Sequence, residues 1–228
     1  QHLWGNNRAI LAGDILFARA SLLVASLGPE IVAHHARTFE RLCEGQLNET
    51  FGPTSGTDRV DFYLQVLADK TGSLVSTAAS FGALLSGAGQ LVADVVSEFG
   101  EKVGVAFQIA DDVLDLASSG EQSGKTPGTD LREGVDTLPV LLLRRREAVG
   151  MIDEAGAQIL RDLTGDLSSD EALASVVERL CAHDVLEETR ELARTWARGA
   201  VAALSPLPKG EPKTALEAFA NLMVDRLV

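Results

Sequence analysis

Basic charge is what this chain has least of. Against 33 aspartates and glutamates stand 20 lysines and arginines, a formal net charge of −13. A nucleic-acid binder needs a basic face, so no nucleic-acid partner is expected. Cysteine is nearly absent, and Cys43 and Cys181 fit neither a disulfide framework nor a metal-ligand spacing. Two thiols suit a reducing cytoplasm, which is the expected location. No apolar run is long enough to cross a membrane, so no transmembrane segment is expected. "QHLWGNNRAIL" lacks the charged head, apolar stretch and small-residue cleavage site of a signal peptide. Alternation of period two is missing, and no hairpin turn separates β-branched runs. Internal repeats and low-complexity tracts are missing as well.

What is present is helical period in a chain of 228 residues, 46% hydrophobic and 23% charged, a globular composition. Apolar and small residues crowd 10–27, which "LGPE" ends with a Gly-Pro stop. A second helix over 31–51 is broken by the turn residues "GPTSGTD". A long apolar helix over 60–86 carries "KTG" at its middle, where a kink is expected. Helices over 92–116, 138–146, 186–204 and 213–227 follow, with a Gly- and Ser-rich connection over 118–134. In "SSDEALASVVERL", Ser168 with Glu171 three residues on predicts a capping box. His34 and His35 are expected as a surface pair at a helix start, and His183 has no metal partner at a useful spacing. One all-α domain spanning 1–228 is predicted.

Chemistry concentrates in three places. In "FQIADDVLD", Gln108, Asp111, Asp112 and Asp115 fall at i, i+3, i+4 and i+7 and so share one helix face. Like charges at that spacing repel, and no Lys or Arg lies nearby in the sequence. Oxygen-only ligands select a hard cation, and Mg²⁺ keeps waters and takes phosphate oxygens where the protein cannot enclose it. A solvated acidic face produces the same pattern, and the spacing alone leaves both readings open. In "ADKTGSL", Lys70 interrupts an apolar helix just before Thr71 and Gly72. The lysine either snorkels to water or lines an anion site together with the Thr71 hydroxyl. Finally, "GEQSGKT" imitates a P-loop but fails it. Three residues separate Gly120 from Gly124 where four are needed, no strand precedes it, and Pro127 follows. Lys125 remains a cation in a Gly-rich loop beside the aspartates.

Together these stretches resemble the trans-type isoprenyl (polyprenyl) diphosphate synthases. "FQIADDVLD", "GKTPGTDLREG" and "TLP" look like their second aspartate-rich region, and "DKTGSL" like their Lys-Thr motif. "EGQLNE" resembles their Gly-Gln motif and "GDILFARA" their Gly-Asp helix. D-D-x-x-D alone is common. The motifs in this order and spacing are specific, and the likeness runs over essentially the whole chain, with the small-residue helix closest to the medium- and long-chain type.

The resemblance implies a bundle of antiparallel helices around a central cavity. It implies Mg²⁺-dependent condensation of an allylic diphosphate with isopentenyl diphosphate to a longer trans-polyprenyl diphosphate. By position, Asp111, Asp112 and Asp115 form the metal motif, Asp111 binding Mg²⁺ and Asp115 supporting it. Lys70 and Lys125 hold the allylic diphosphate, Thr71 and Gln108 face the allylic cation, and Phe107 packs on the isopentenyl tail. Gln46 and Glu49 line the cavity, and Asp130 orders the Lys125 loop. Two departures accompany the likeness. Val135 stands where many relatives have Lys, and the family's first aspartate-rich region, upstream of the Gly-Asp helix, is not in this chain. An N-terminally incomplete synthase domain is therefore expected. A non-catalytic subunit or remnant of the same fold, assembling with a catalytic partner, is the alternative; a terpene cyclase fits the Lys-Thr and Gly-Lys stretches less well. The breadth of the apolar surface over 10–27, like the resemblance, implies a homodimer.

Overall fold

The computed structural model describes residues 3–117 and 127–225. Among these residues there is no strand. Helix α1 (Asn6–Ala25) leads into α2 (Pro29–Phe51), whose first residue is a proline with its φ already set for a helix. Helix α3 (Arg59–Leu67) opens under Asp58, whose carboxylate accepts from the Val60 and Asp61 N–H groups. The chain then passes through one π turn (Ala68–Gly72) and continues as α4 (Ser73–Leu85). The kink expected at "KTG" is thus a π turn inside a continuing helix, with no break in the chain's helical path.

Helix α5 (Gln90–Ala117) is the axis of the molecule. Val96, Phe99, Val103, Ile109, Val113 and Leu116 are buried on several of its sides, so it needs neighbours all round. It packs against α4 and against α10 (Asp184–Ala203), which meets it with Ala193, Ala197 and Ala200. After the undescribed segment 118–126, the Gly128 N–H donates to the Asp115 carbonyl at 2.8 Å, which returns the chain to the end of α5. Short α6 (Thr129–Arg132) follows, then α7 (Leu138–Ala148), whose first six residues are all buried. Helices α8 (Glu154–Leu163), α9 (Asp170–Ala182) and α11 (Glu211–Asp225) complete the bundle.

Two expectations are corrected and one helix is added. The N-cap of α9 is Ser169, whose hydroxyl accepts from the Ala172 N–H at 3.1 Å. Glu171 therefore sits one position early, and no capping box forms around Ser168. Helix α8 had no counterpart in the sequence reading. It is a short element, capped by Asp153 on the Gly156 N–H, that buries only Ile159, Leu160 and Gly156. His34 and His35 are half-buried in α2, His34 edge-on to Phe81 and His35 stacked on Phe17. Burial first, and then the charge of Arg37, hold His34 below the usual histidine range. His183 is a helix cap: its Nδ1 accepts from the Val185 N–H, and its Nε2 faces Asp153 at 3.0 Å.

Candidate functional site

Glycine is the reason three helices can meet at the Lys-Thr stretch. A Cβ on Gly104 would lie 2.6 Å from the Gly72 Cα, so α5 touches the π turn backbone to backbone. A Cβ on Gly45 would lie 2.8 Å from the Asp69 Cβ, so α2 presses the same turn from the other side. A π turn inserts one residue into a helical turn, and such insertions gather at functional sites. Here the inserted turn carries Asp69 inward and Lys70 outward. Asp69 is buried and accepts from Arg41 at 2.7 Å and Gln65 at 2.9 Å. The Lys70 ammonium reaches Glu49 on α2 at 2.6 Å, and Gln46 donates to the same Glu49 oxygen at 2.8 Å.

Lys70 and Glu49 line a cavity of about 780 Å³. Its walls come from the end of α2, from α3, from α5 and from the segment leading into α7. Gln108 and Asp112 line it, as do Asp130 and Val135. The structure thus brings together Glu49, Lys70, Gln108, Asp112 and Asp130 from separate stretches of the chain. Gln46, Thr71, Phe107, Asp111 and Asp115 are not among its lining residues. Thr71 is half-buried beside Lys70, and Phe107, Asp111 and Asp115 are half-buried on α5. Lys125 lies outside the described residues.

The three aspartates divide. Asp111 and Asp115 lie one turn apart on a half-exposed stripe that includes Gln108. Asp112 turns inward, 7% exposed, and its oxygens accept from the Tyr63 hydroxyl at 3.0 and 3.1 Å and from the Leu138 N–H at 3.1 Å. The donors are neutral, so burial still dominates and pushes the Asp112 carboxyl up to about 7. The Leu138 and Tyr63 hydrogen bonds pull against that rise, while Asp130 and Asp111 add to it. The Tyr63 hydroxyl is itself pushed up, by burial first and then by the Asp112 charge. Tyr63 had no part in the sequence reading. Only its place on α3, seven residues before Lys70, marks it.

The donor set suits a hard divalent cation. Asp111 and Asp115 offer carboxylate oxygens from a partly exposed face. Among the described residues no three His, Cys, Asp or Glu side chains converge to enclose an ion. A cation that completes its shell with water and phosphate oxygens fits such an open wall; one that demands a protein cage does not. Arg59, in the first turn of α3, is a further cation lining the cavity that the sequence reading missed, and Arg41 braces the π turn behind it through Asp69.

Comparison with known proteins identifies the family. A family model described as polyprenyl synthetase matches residues 1–180. The nonaprenyl diphosphate synthase of Mycobacterium tuberculosis is 40% identical, over 98% of this chain and 65% of its own length. The decaprenyl-diphosphate synthase of Dictyostelium discoideum is 32% identical, over 99% of this chain and 47% of its own length. The chain therefore spans less than two thirds of these curated relatives. Among solved structures, the geranylgeranyl pyrophosphate synthase of Corynebacterium glutamicum, complexed with calcium and isoprenyl diphosphate, superposes with a TM-score of 0.84 at 41% identity. The match covers 98% of this chain and 68% of that one. The polyprenyl synthase of Caulobacter crescentus, also complexed with calcium and isoprenyl diphosphate, gives 0.83 at 29% identity, covering 99% of this chain and 68% of that one.

Proposed function

The chain belongs to the polyprenyl synthetase family, and on that premise we propose that it is a prenyl transferase. It condenses an allylic diphosphate with isopentenyl diphosphate and releases a longer trans-polyprenyl diphosphate. The observation that carries this reading is the 780 Å³ cavity, where Lys70, Glu49 and Gln108, from three separate motifs, face one space.

Asp111 and Asp115 would hold Mg²⁺, which supplies neutralisation of charge on a departing diphosphate. Lys70 trades its Glu49 partner for a diphosphate oxygen, a favourable exchange because a phosphate oxyanion carries more charge than one carboxylate oxygen. Lys125 adds a second cation to the same group, with Asp130 ordering its loop. As the allylic carbon loses its diphosphate, Thr71 and Gln108 face the positive charge with oxygen dipoles. Phe107 packs on the isopentenyl tail, and Gln46 and Glu49 line the wall beside Lys70. Removing one such preorganised element costs on the order of a hundredfold in rate.

The protein works as a homodimer through the exposed apolar surface of α1. We place it in the cytoplasm, in keeping with free thiols at Cys43 and Cys181. Among the described residues no helix is long and apolar enough to cross a membrane.

The test is calorimetric titration of the full-length protein with Mg²⁺ and an unreactive allylic thiolodiphosphate, beside incorporation of radiolabelled isopentenyl diphosphate. We expect Asp111→Ala to abolish the metal-dependent part of binding and turnover together. Unchanged binding in that variant, or no incorporation by the unaltered protein, would overturn the assignment.

A further inference from the structure

We propose that Arg41 is a positioning residue for Lys70, acting through Asp69. The inference rests on the reading of Lys70 as a diphosphate ligand. Arg41 stands on α2 with its Nε donating to the Asp69 carboxylate at 2.7 Å and its Nη1 to Glu101 on α5 at 2.5 Å. One guanidinium thereby ties α2, the π turn and α5 together. Asp69 is held at several points: its Oδ1 accepts from Gln65 as well as from Arg41, and its carbonyl accepts from the Ser73 hydroxyl at 2.6 Å. Burial opposes the charge on Arg41, but its hydrogen bonds to Glu101 and Asp69 more than offset that and hold it above the ordinary arginine value.

The arrangement fixes the rotational setting of the turn. Two adjacent residues of opposite charge, Asp69 and Lys70, meet two residues of opposite charge on one helix, Arg41 and Glu49. Slipping the π turn by one residue would bring Lys70 toward Arg41 in one direction, or Asp69 toward Glu49 in the other, and either sets like against like. The Arg41–Asp69 pair is half-buried, and bringing like charges together at either position is disfavoured. Lysine is a point charge on a long stem with many rotamers. Its ammonium can pass from Glu49 to an incoming anion in a defined place only if its Cα is fixed. The Arg41–Asp69 pair supplies that anchor at the preceding residue. It stays intact during the exchange, because Arg41 is spent on Asp69 and Glu101.

A double-mutant cycle separates positioning from plain support of the fold. Binding of the allylic thiolodiphosphate with Mg²⁺ is measured by calorimetry for the unaltered protein, Arg41→Met, Lys70→Ala and the double variant. Arg41→Met should weaken binding about tenfold, within the coupling seen between residues of one network. Lys70→Ala should weaken it further, and the double variant should bind no worse than Lys70→Ala alone. Fully additive losses would overturn positioning through Lys70, as would unchanged binding in Arg41→Met. Unchanged binding in Lys70→Ala would instead overturn the role of Lys70, and the proposal with it. Should Arg41→Met fail to fold, Glu101→Gln, which neutralises one of Arg41's two anchors, enters the same cycle and is read by the same criteria.

Discussion

Asp112 is a carboxyl group in a place where a carboxylate is costly. It is buried with no cation against it among the described residues, and its solvation is replaced by one phenol and one backbone amide. The sequence shows three aspartates within one and a half turns and no basic neighbour, which suggests a shared cation for all three. The structure resolves the crowding differently for one of them, with Tyr63 on α3 and Leu138 at the start of α7 as donors. That solution is invisible in sequence because both donors lie far off, one 49 and one 26 residues away. It leads to a prediction at this scale. Tyr63→Phe keeps the ring and its packing but leaves Asp112 with a single donor, and a buried acceptor stripped of a partner costs about 1–3 kcal/mol. Urea unfolding should show that loss. An unchanged midpoint would mean that water or another group already serves Asp112.

The elements themselves were largely legible, for reasons that differ along the chain. Helix α5 announces itself by 28 residues of apolar period, and Asn6–Ala25 and Pro29–Phe51 by the Gly-Pro stop between them. Helix α8 escaped because it is only ten residues long, although its buried residues Gly156, Ile159 and Leu160 fall on one helix face. The π turn escaped because insertion of a residue is decided by what packs on either side, and a Gly-Thr pair predicts only irregularity. The contact that decides it is Gly104 against Gly72, and its consequence is measurable. Gly104→Ala would set a methyl carbon 2.6 Å from a backbone atom that cannot rotate away. Overpacking of this kind costs about 1–3 kcal/mol. Gly82→Ala on α4 is the internal control. Its Cβ meets nothing within 4 Å, and a helix-interior Ala gains about 0.5–1 kcal/mol over Gly. Opposite shifts in denaturation midpoint are expected for the two variants. Parallel shifts would mean that helix propensity alone governs both and that α5 does not touch the π turn.

At the scale of the whole molecule, the surface of α1 carries the remaining argument. Phe17, Ser21 and Val24 tie the helix to the rest of the fold: Phe17 meets His35 and Phe39 on α2, Ser21 meets His35, and Val24 is its one buried side chain. Its other apolar residues look outward, with Ile15 64%, Leu16 71% and Leu23 66% exposed. Positions 10, 11, 15, 16, 22 and 23 wrap more than one face at 100° per residue, too broad for a helix lying on a single partner surface. Contiguous apolar area of this kind marks an interaction site. The occupant proposed for it is a second copy, because two such helices meeting about a twofold axis present the same apolar surface to each other. No basic stripe runs along α1, whose charged residues are Arg8, Asp14 and Arg19 alone, so the proposed contact would be apolar and should persist at high salt. Sedimentation at micromolar concentration should give twice the mass of one chain in both low and high salt. The pair Leu16→Glu and Leu23→Glu should shift the protein to the mass of one chain while leaving helical content unchanged by circular dichroism. A single-chain mass for the unaltered protein, or a dimer that survives both charges, would remove α1 from the interface.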